Sequence, residues 1–331
     1  MNVQILLVIT VVLALLFDFV NGFHDSANVV ATIVASRAMT PRAALLIAAT
    51  ANFIGPFVFG VAVAKTIGEN VAPPAALTIS VVIAALISAT VWNLITWRFG
   101  IPSSSSHALI GGIVGAVIVS SGIGIIQAEG IVLVVVALIA SPVIGLIMGV
   151  LLIRLILHLA RWTTPKASIF FKYAQIPTAI LLALSHGTND AQKTMGVITM
   201  GLVILGFQAS FVVPVWVILA SAAAIGLGTA VGGWRIIHTL GGKFYRIRAV
   251  HSFASQLASG VVILGASLVG GPVSTTQVVS SAIIGAGAGQ RASQVRWGVL
   301  SDILVAWFLT LPASAGLSAL VYFPIAFFLG V

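Results

Sequence analysis

The chain has 331 residues, of which 60% are hydrophobic and only 6% charged, and its mean hydropathy is +1.20. These values exclude an ordinary soluble domain and leave an integral membrane protein. The net charge of +9 does not imply nucleic acid, since the basic residues sit between apolar runs; the lack of cysteine excludes a disulfide framework, a thiolate metal site and a cysteine nucleophile.

In chain order the apolar runs fall at 3–36, 42–64, 75–97, 101–126, 129–157, 176–206, 211–233, 252–270, 272–289 and 298–329. Runs of this length, rich in Gly and Ala, predict helices rather than the alternating strands of a barrel. The expected fold is an all-α polytopic membrane protein forming one helical domain in the cell (inner or plasma) membrane. The first seventeen residues are apolar without a basic leader, so they read as a retained segment and not a cleaved signal. If the N-terminus starts outside and the chain crosses at each run, four basic groups emerge inside: Arg37 and Arg42; Arg154, Arg161, Lys166 and Lys172; Arg235, Lys243, Arg246 and Arg248; Arg291 and Arg296. Outer loops then hold Lys65, Glu69 and Glu129, and both termini lie outside.

The chain also repeats itself. Gly22-Phe-His-Asp25 matches Gly187-Thr-Asn-Asp190 at an offset of 165, and Pro102-Ser-Ser-Ser-Ser-His107 matches Pro272-Val-Ser-Thr-Thr-Gln277 at an offset of 170. Pro142 and Pro312 share the second offset. An odd number of crossings precedes 176–206, so the second half enters from the opposite face: two inverted-topology repeats with broken helices, the arrangement of secondary transporters. Residues 1–157 form the first repeat, 158–175 a basic cytoplasmic linker and 176–331 the second. The run 75–97 either spans or is half of a re-entrant hairpin.

Asp25, Asp190 and Lys193 interrupt apolar runs. A charge at the bilayer centre costs roughly 2.5–3.5 kcal/mol, so these side chains must face the interior or water. One reading is a structural pair between Asp190 and Lys193 at helical spacing. Against it, the aspartate recurs in both halves, whereas Lys193 has Asn28 as its counterpart. Carboxylates beside amide and hydroxyl oxygens are hard ligands, suited to Na⁺ or to a proton relay. Asp25 with Asn28, and Asn189 with Asp190, are therefore candidate cation ligands, with Ser106, Thr276 and Gln277 as further oxygens. Ser103, Ser104, Ser105 and Ser106, like Ser274, Thr275 and Thr276, follow a proline and read as helix starts. Free N–H groups, the positive dipole end and the hydroxyls make an oxyanion cradle there. If each run tips a re-entrant hairpin, the two tips meet near the midplane from opposite faces. The alternative is that these serines satisfy backbone carbonyls or aid close packing. Lys193 either pairs with Asp190 or senses the anion, while His107 and Gln277 either donate to the anion or bond helix to helix. Asn52, Asn93 and Gln256 read as interhelical hydrogen bonds, and His186 as a bond within its own string.

At these four strings the chain resembles the inorganic phosphate transporter (PiT) family of sodium- or proton-coupled symporters. NGFHDSAN and SHGTNDAQKT resemble its two signatures, and IPSSSSHALIGG and PVSTTQVVSSAIIGAG its two hairpin segments. The resemblance covers both halves. It implies an inverted-repeat fold, often a homodimer in lipid, that carries inorganic phosphate with cations by alternating access. Phosphate would then lie against the two hydroxyl runs with Asp25, Asn28 and Asp190, and Na⁺ against the cation ligands, with no cofactor. His24 stands where many members have Asn, and Gln277 where many have His; with His107 and Lys193, His24 is an auxiliary candidate.

Charge arithmetic supports cotransport independently. Monohydrogen phosphate carries about two negative charges near pH 7, and two buried aspartates add to them, so cations must enter too. Na⁺ suits the amide and hydroxyl oxygens better than H⁺, whose version would titrate Asp25, Asp190 or His24. Sulphate competes for such a cradle, but phosphate keeps a proton that an aspartate can accept. An anion channel would not need duplicated acids beside the cradle, and no HExxH or GxSxG string suggests an enzyme.

Overall fold

The structure is a computed structural model that describes residues 2–69, 77–125, 128–162 and 167–329. Lys166, the side chain of Glu129, and positions 75, 76 and 126 of the predicted runs lie outside the described residues. The described residues are helical and contain no strand. Twelve α-helices follow in order: α1 (Val3–Ala35), α2 (Pro41–Val58), α3 (Ala62–Glu69), α4 (Ile79–Phe99), α5 (Ser105–Ser121), α6 (Ala128–Ala160), α7 (Ala167–Ile204), α8 (Val215–Val231), α9 (Trp234–Gly242), α10 (Ala249–Leu268), α11 (Thr275–Arg291) and α12 (Trp297–Leu329). Seven of the described helices are long and apolar enough to cross a membrane, or eight if the bent pair α8 and α9 is one span.

Six helices of the first half have six counterparts in the second, and the packing follows the same plan. α1 packs on α8 as α7 packs on α2, and α5 packs on α12 as α11 packs on α6. Each half therefore buries its apolar faces against the other. In membranes this close association falls to small residues. A Cβ on Gly22 would stand 2.3 Å from the Ile225 carbonyl oxygen of α8, and one on Gly187 would stand 2.2 Å from that of Asn52 in α2. The glycine of each signature is thus where two backbones touch.

Three boundaries differ from expectation. The predicted run 42–64 breaks after Val58, where Gly60 takes a φ of 79° that side chains with a Cβ resist. The run 211–233 ends likewise at Gly232, also at φ 79°, and the chain turns 69° into α9. The basic stretch 158–175 is mostly helical, because α6 continues to Ala160 and α7 begins at Ala167.

α4 and α5 form one helical hairpin and α10 and α11 the other, with the hydroxyl runs between their helices. Pro102 and Pro272 keep the chain extended two residues before each cap. The hydroxyl of Ser104 accepts from His107 N at 3.2 Å, and that of Ser274 from Gln277 N at 3.3 Å. Ser104→Ala and Ser274→Ala are each expected to lower stability by about 1 kcal/mol, as lost N-caps, measured as a fall in Tm in detergent.

Candidate functional site

The caps settle which hydroxyls of each run face inward. Helix geometry turns Ser105 and Ser106, and Thr275 and Thr276, toward α1 and α7, and their N–H groups occupy the first two positions, which lack helical partners. Ser105 Oγ donates to Asp25 Oδ2 at 3.3 Å, and its counterpart Thr275 donates to Asp190 Oδ2 at 3.0 Å. Thr276 Oγ1 donates to Asp25 Oδ1 at 3.1 Å and accepts from Asn28 Nδ2 at 3.0 Å. The equivalent Ser106 accepts from Lys193 Nζ at 2.5 Å. Asn28 and Lys193 are themselves equivalent, so the two arrangements correspond with an amide exchanged for an ammonium, except that Ser106 donates to the Val273 carbonyl at 3.1 Å where Thr276 donates to Asp25.

Lys193 also donates to Asp190 Oδ1 and, at 3.2 Å, to the Val273 carbonyl. Its pairing with Asp190 is therefore real, and all three of its hydrogens are used. Each carboxylate carries a histidine as well: His24 Nδ1 lies 2.5 Å from Asp25 Oδ1, and His186 Nε2 lies 3.1 Å from Asp190 Oδ2. Ligand atoms of Asp25, His186 and Asp190 lie within 4.8 Å of one another. The two halves thus place their acids in one pocket. Every side chain in it is buried; His107, on its rim, is the most open at 5%.

Some predicted ligands face elsewhere. Ser103 Oγ donates to Thr96 Oγ1 at 2.8 Å and so reaches Asp25 only through Thr96 and His24, and Ser104 and Ser274 are spent as caps. Gln277 does not turn to Asp25 or Asp190. It meets His107 across the junction of the tips at 3.3 Å, so this pair bonds helix to helix. Both line an apolar cavity of about 360 Å³ with Val143, Leu304 and Phe308. Asn189 Nδ2 donates to Ser267 Oγ at 2.9 Å and to the Gly271 carbonyl at 3.2 Å. Its Oδ1, like that of Asn28, is buried without a partner. An orphaned carbonyl oxygen beside each aspartate is the donor chemistry of a hard cation.

Asn52 donates to Thr229 Oγ1 at 2.8 Å and Gln256 to Thr32 Oγ1 at 3.0 Å, as interhelical bonds. Asn93 is buried, and neither atom of its amide has a partner. His186 faces Asp190 within its string through Nε2, but its hydrogen bond runs between helices, from Nδ1 to Asn52 Oδ1 at 3.3 Å. Asp18 and Asn21 were not foreseen from the sequence. The signal was present, since 18, 21, 25 and 28 recur at spacings of three and four and so share one face of α1.

Two helical hairpins with capped hydroxyl tips, closing on paired acids inside an apolar bundle, define a polytopic membrane transporter. A model described as the phosphate transporter family matches residues 21–318. The chain belongs to that family. It is 45% identical over 323 residues to a probable low-affinity inorganic phosphate transporter of Bacillus subtilis, covering 96% of this chain and 97% of that one. It is 46% identical over 320 residues to one of the same description from Rhizobium meliloti, covering 96% of each. A solved structure, described as the sodium-dependent phosphate transporter, superposes with a TM-score of 0.87 at 26% identity over 97% of this chain and 99% of that one. These relatives are transporters, not enzymes.

Proposed function

We propose that the chain is a symporter that imports inorganic phosphate with Na⁺ by alternating access. One observation carries this reading: two carboxylates, four inward hydroxyls and two capped helix starts converge on one pocket whose side chains are all buried. Phosphate binds between the tips, on the hydroxyls of Ser105, Ser106, Thr275 and Thr276 and the N–H groups beneath them. The cations bind at the orphaned oxygens of Asn28 and Asn189 beside Asp25 and Asp190. A buried pocket has to open for each ion that enters, which a carrier does and a channel need not. The relatives' descriptions as phosphate transporters, and the sodium dependence in that of the solved structure, support phosphate and Na⁺. We read the two halves as inverted repeats, both termini as external and the assembly in the plasma membrane as a homodimer.

Proton coupling is the second reading. The histidine against each carboxylate favours it, since an imidazole can shuttle a proton where a metal would need an open coordination site. The test is uptake of radiolabelled phosphate into proteoliposomes under an inward Na⁺ or an inward H⁺ gradient, with excess sulphate as competitor. Uptake that needs Na⁺ and ignores sulphate is expected. Uptake driven by H⁺ alone selects the second reading, and abolition by sulphate removes the phosphate assignment. In the same assay Asp25→Asn is expected to weaken phosphate relative to sulphate, because the acceptor for the phosphate proton is gone.

A further inference from the structure

Outside the paired pocket, three polar side chains on the seam between α1 and α7 make no hydrogen bond: Asp18, Asn21 and Thr194. All three are 0% exposed. Asp18 and Asn21 stand one turn apart on the face of α1 that leads to Asp25. From α7 the Thr194 hydroxyl faces the Asp18 carboxylate, outside hydrogen-bond geometry.

A carboxylate in this setting cannot stay a bare anion; it must hold a cation or a proton. The charged groups that face it are Asp190 and Lys193. The Lys193 ammonium is already spent on Asp190, Ser106 and Val273. α8 carries no charged residue, and α4 only Arg98, in its last turn. Arg235 and His238 belong to α9, which lies along Phe23 to Ala31, more than a turn beyond Asp18. Among the described residues, then, the positive charge that faces Asp18 is Lys193, and it is already paired with Asp190. The repeat does not duplicate Asp18, since the position 165 residues on is Ala183.

We propose that Asp18, Asn21 and Thr194 form a separate cation site that takes up one monovalent cation, Na⁺ or H⁺, with each phosphate carried. Two carboxylate oxygens, an amide oxygen and a hydroxyl make a hard donor set, converging from two helices whose backbone oxygens are occupied in their own ladders. Because only one half contributes this acid, it adds one coupled charge to whatever the symmetric pocket carries. The inference rests on the symport reading.

The experiment measures the reversal potential of phosphate uptake by the full chain in proteoliposomes, once under a Na⁺ gradient and once under an H⁺ gradient. This gives the net charge moved per phosphate. Asp18→Asn is expected to lower that charge by one in whichever arm drives uptake, and the driving arm identifies the cation. Retained uptake with the wild-type charge ratio overturns the proposal. Should Asp18→Asn fail to fold, Thr194→Val keeps the shape and removes one ligand. It is expected to raise the half-saturating concentration of the driving cation about tenfold, the worth of one lost polar contact; an unchanged value overturns the proposal as well. A wild-type protein driven by neither cation defeats the symport reading itself, and this inference with it.

Discussion

Lys193→Met is expected to destabilise the protein by about 3–5 kcal/mol, and Asp190→Asn by a similar amount, because each leaves one charge of a buried pair without its partner. Lys193 is 1% exposed and Asp190 0%, and the ammonium has no other anion among its bonded neighbours. The double variant, Asp190→Asn with Lys193→Met, removes both charges together. It is expected to recover most of the lost stability, measured as Tm in detergent, since an apolar replacement of a whole pair is often neutral. Phosphate uptake is not expected to recover with it. The asparagine has lost the charge that a cation would balance, and Ser106 has lost its donor. A double variant that transports at the wild-type rate would mean that Asp190 serves only to hold Lys193. Lys193→Asn makes a finer probe, since it writes into the second half the residue that stands at position 28 in the first.

The pair also marks how far the sequence could be read. Both signatures, both hydroxyl runs and the offsets of 165 and 170 were legible, because a repeat shows itself whenever the same chemistry recurs in register. The convergence of Asp25 and Asp190 followed from that logic, and so did the helix starts at Pro102 and Pro272. Which hydroxyls face inward did not. Four consecutive serines look alike in a string, and only the cap at Ser104 decides that Ser105 and Ser106 turn to the acids while Ser103 turns to Thr96. Of the two roles left open for His107 and Gln277, the structure takes the helix-to-helix bond, and with each other as partners; the string could not choose, because the bond joins the tips of two hairpins from opposite halves. Asp18 escaped because attention to what is repeated passes over what is not. The break at Gly60 escaped because an isolated glycine in an apolar run is more often a packing residue than a positive-φ hinge.

Gly187→Ala is expected to prevent the two halves from closing. Its Cβ would lie 2.2 Å from the Asn52 carbonyl oxygen and 2.6 Å from the Asn52 Cα, and neither is the movable end of a side chain. Overpacking ordinarily costs about 1–3 kcal/mol where side chains can shift; here α2 and α7 themselves must separate. The crossing is also reciprocal, since a Cβ on Gly55 would meet the Leu184 oxygen at 2.3 Å. The second crossing repeats it, with Gly22 against Ile225 at 2.3 Å and Gly228 against Phe19 at 2.0 Å. Asp190 lies one turn beyond Gly187 and Asp25 one turn beyond Gly22, so the contact that brings the backbones together also sets how deep each acid sits. Size-exclusion profiles and Tm in detergent measure the outcome, with Gly316→Ala as the reference. Gly316 is an exposed position of α12 where an added Cβ meets nothing within 4 Å, and its variant is expected to remain monodisperse. If Gly187→Ala melted within a degree or two of Gly316→Ala, the close crossing would not be what holds the halves together. The depth of the acids would then have to be set by the hydroxyl tips alone.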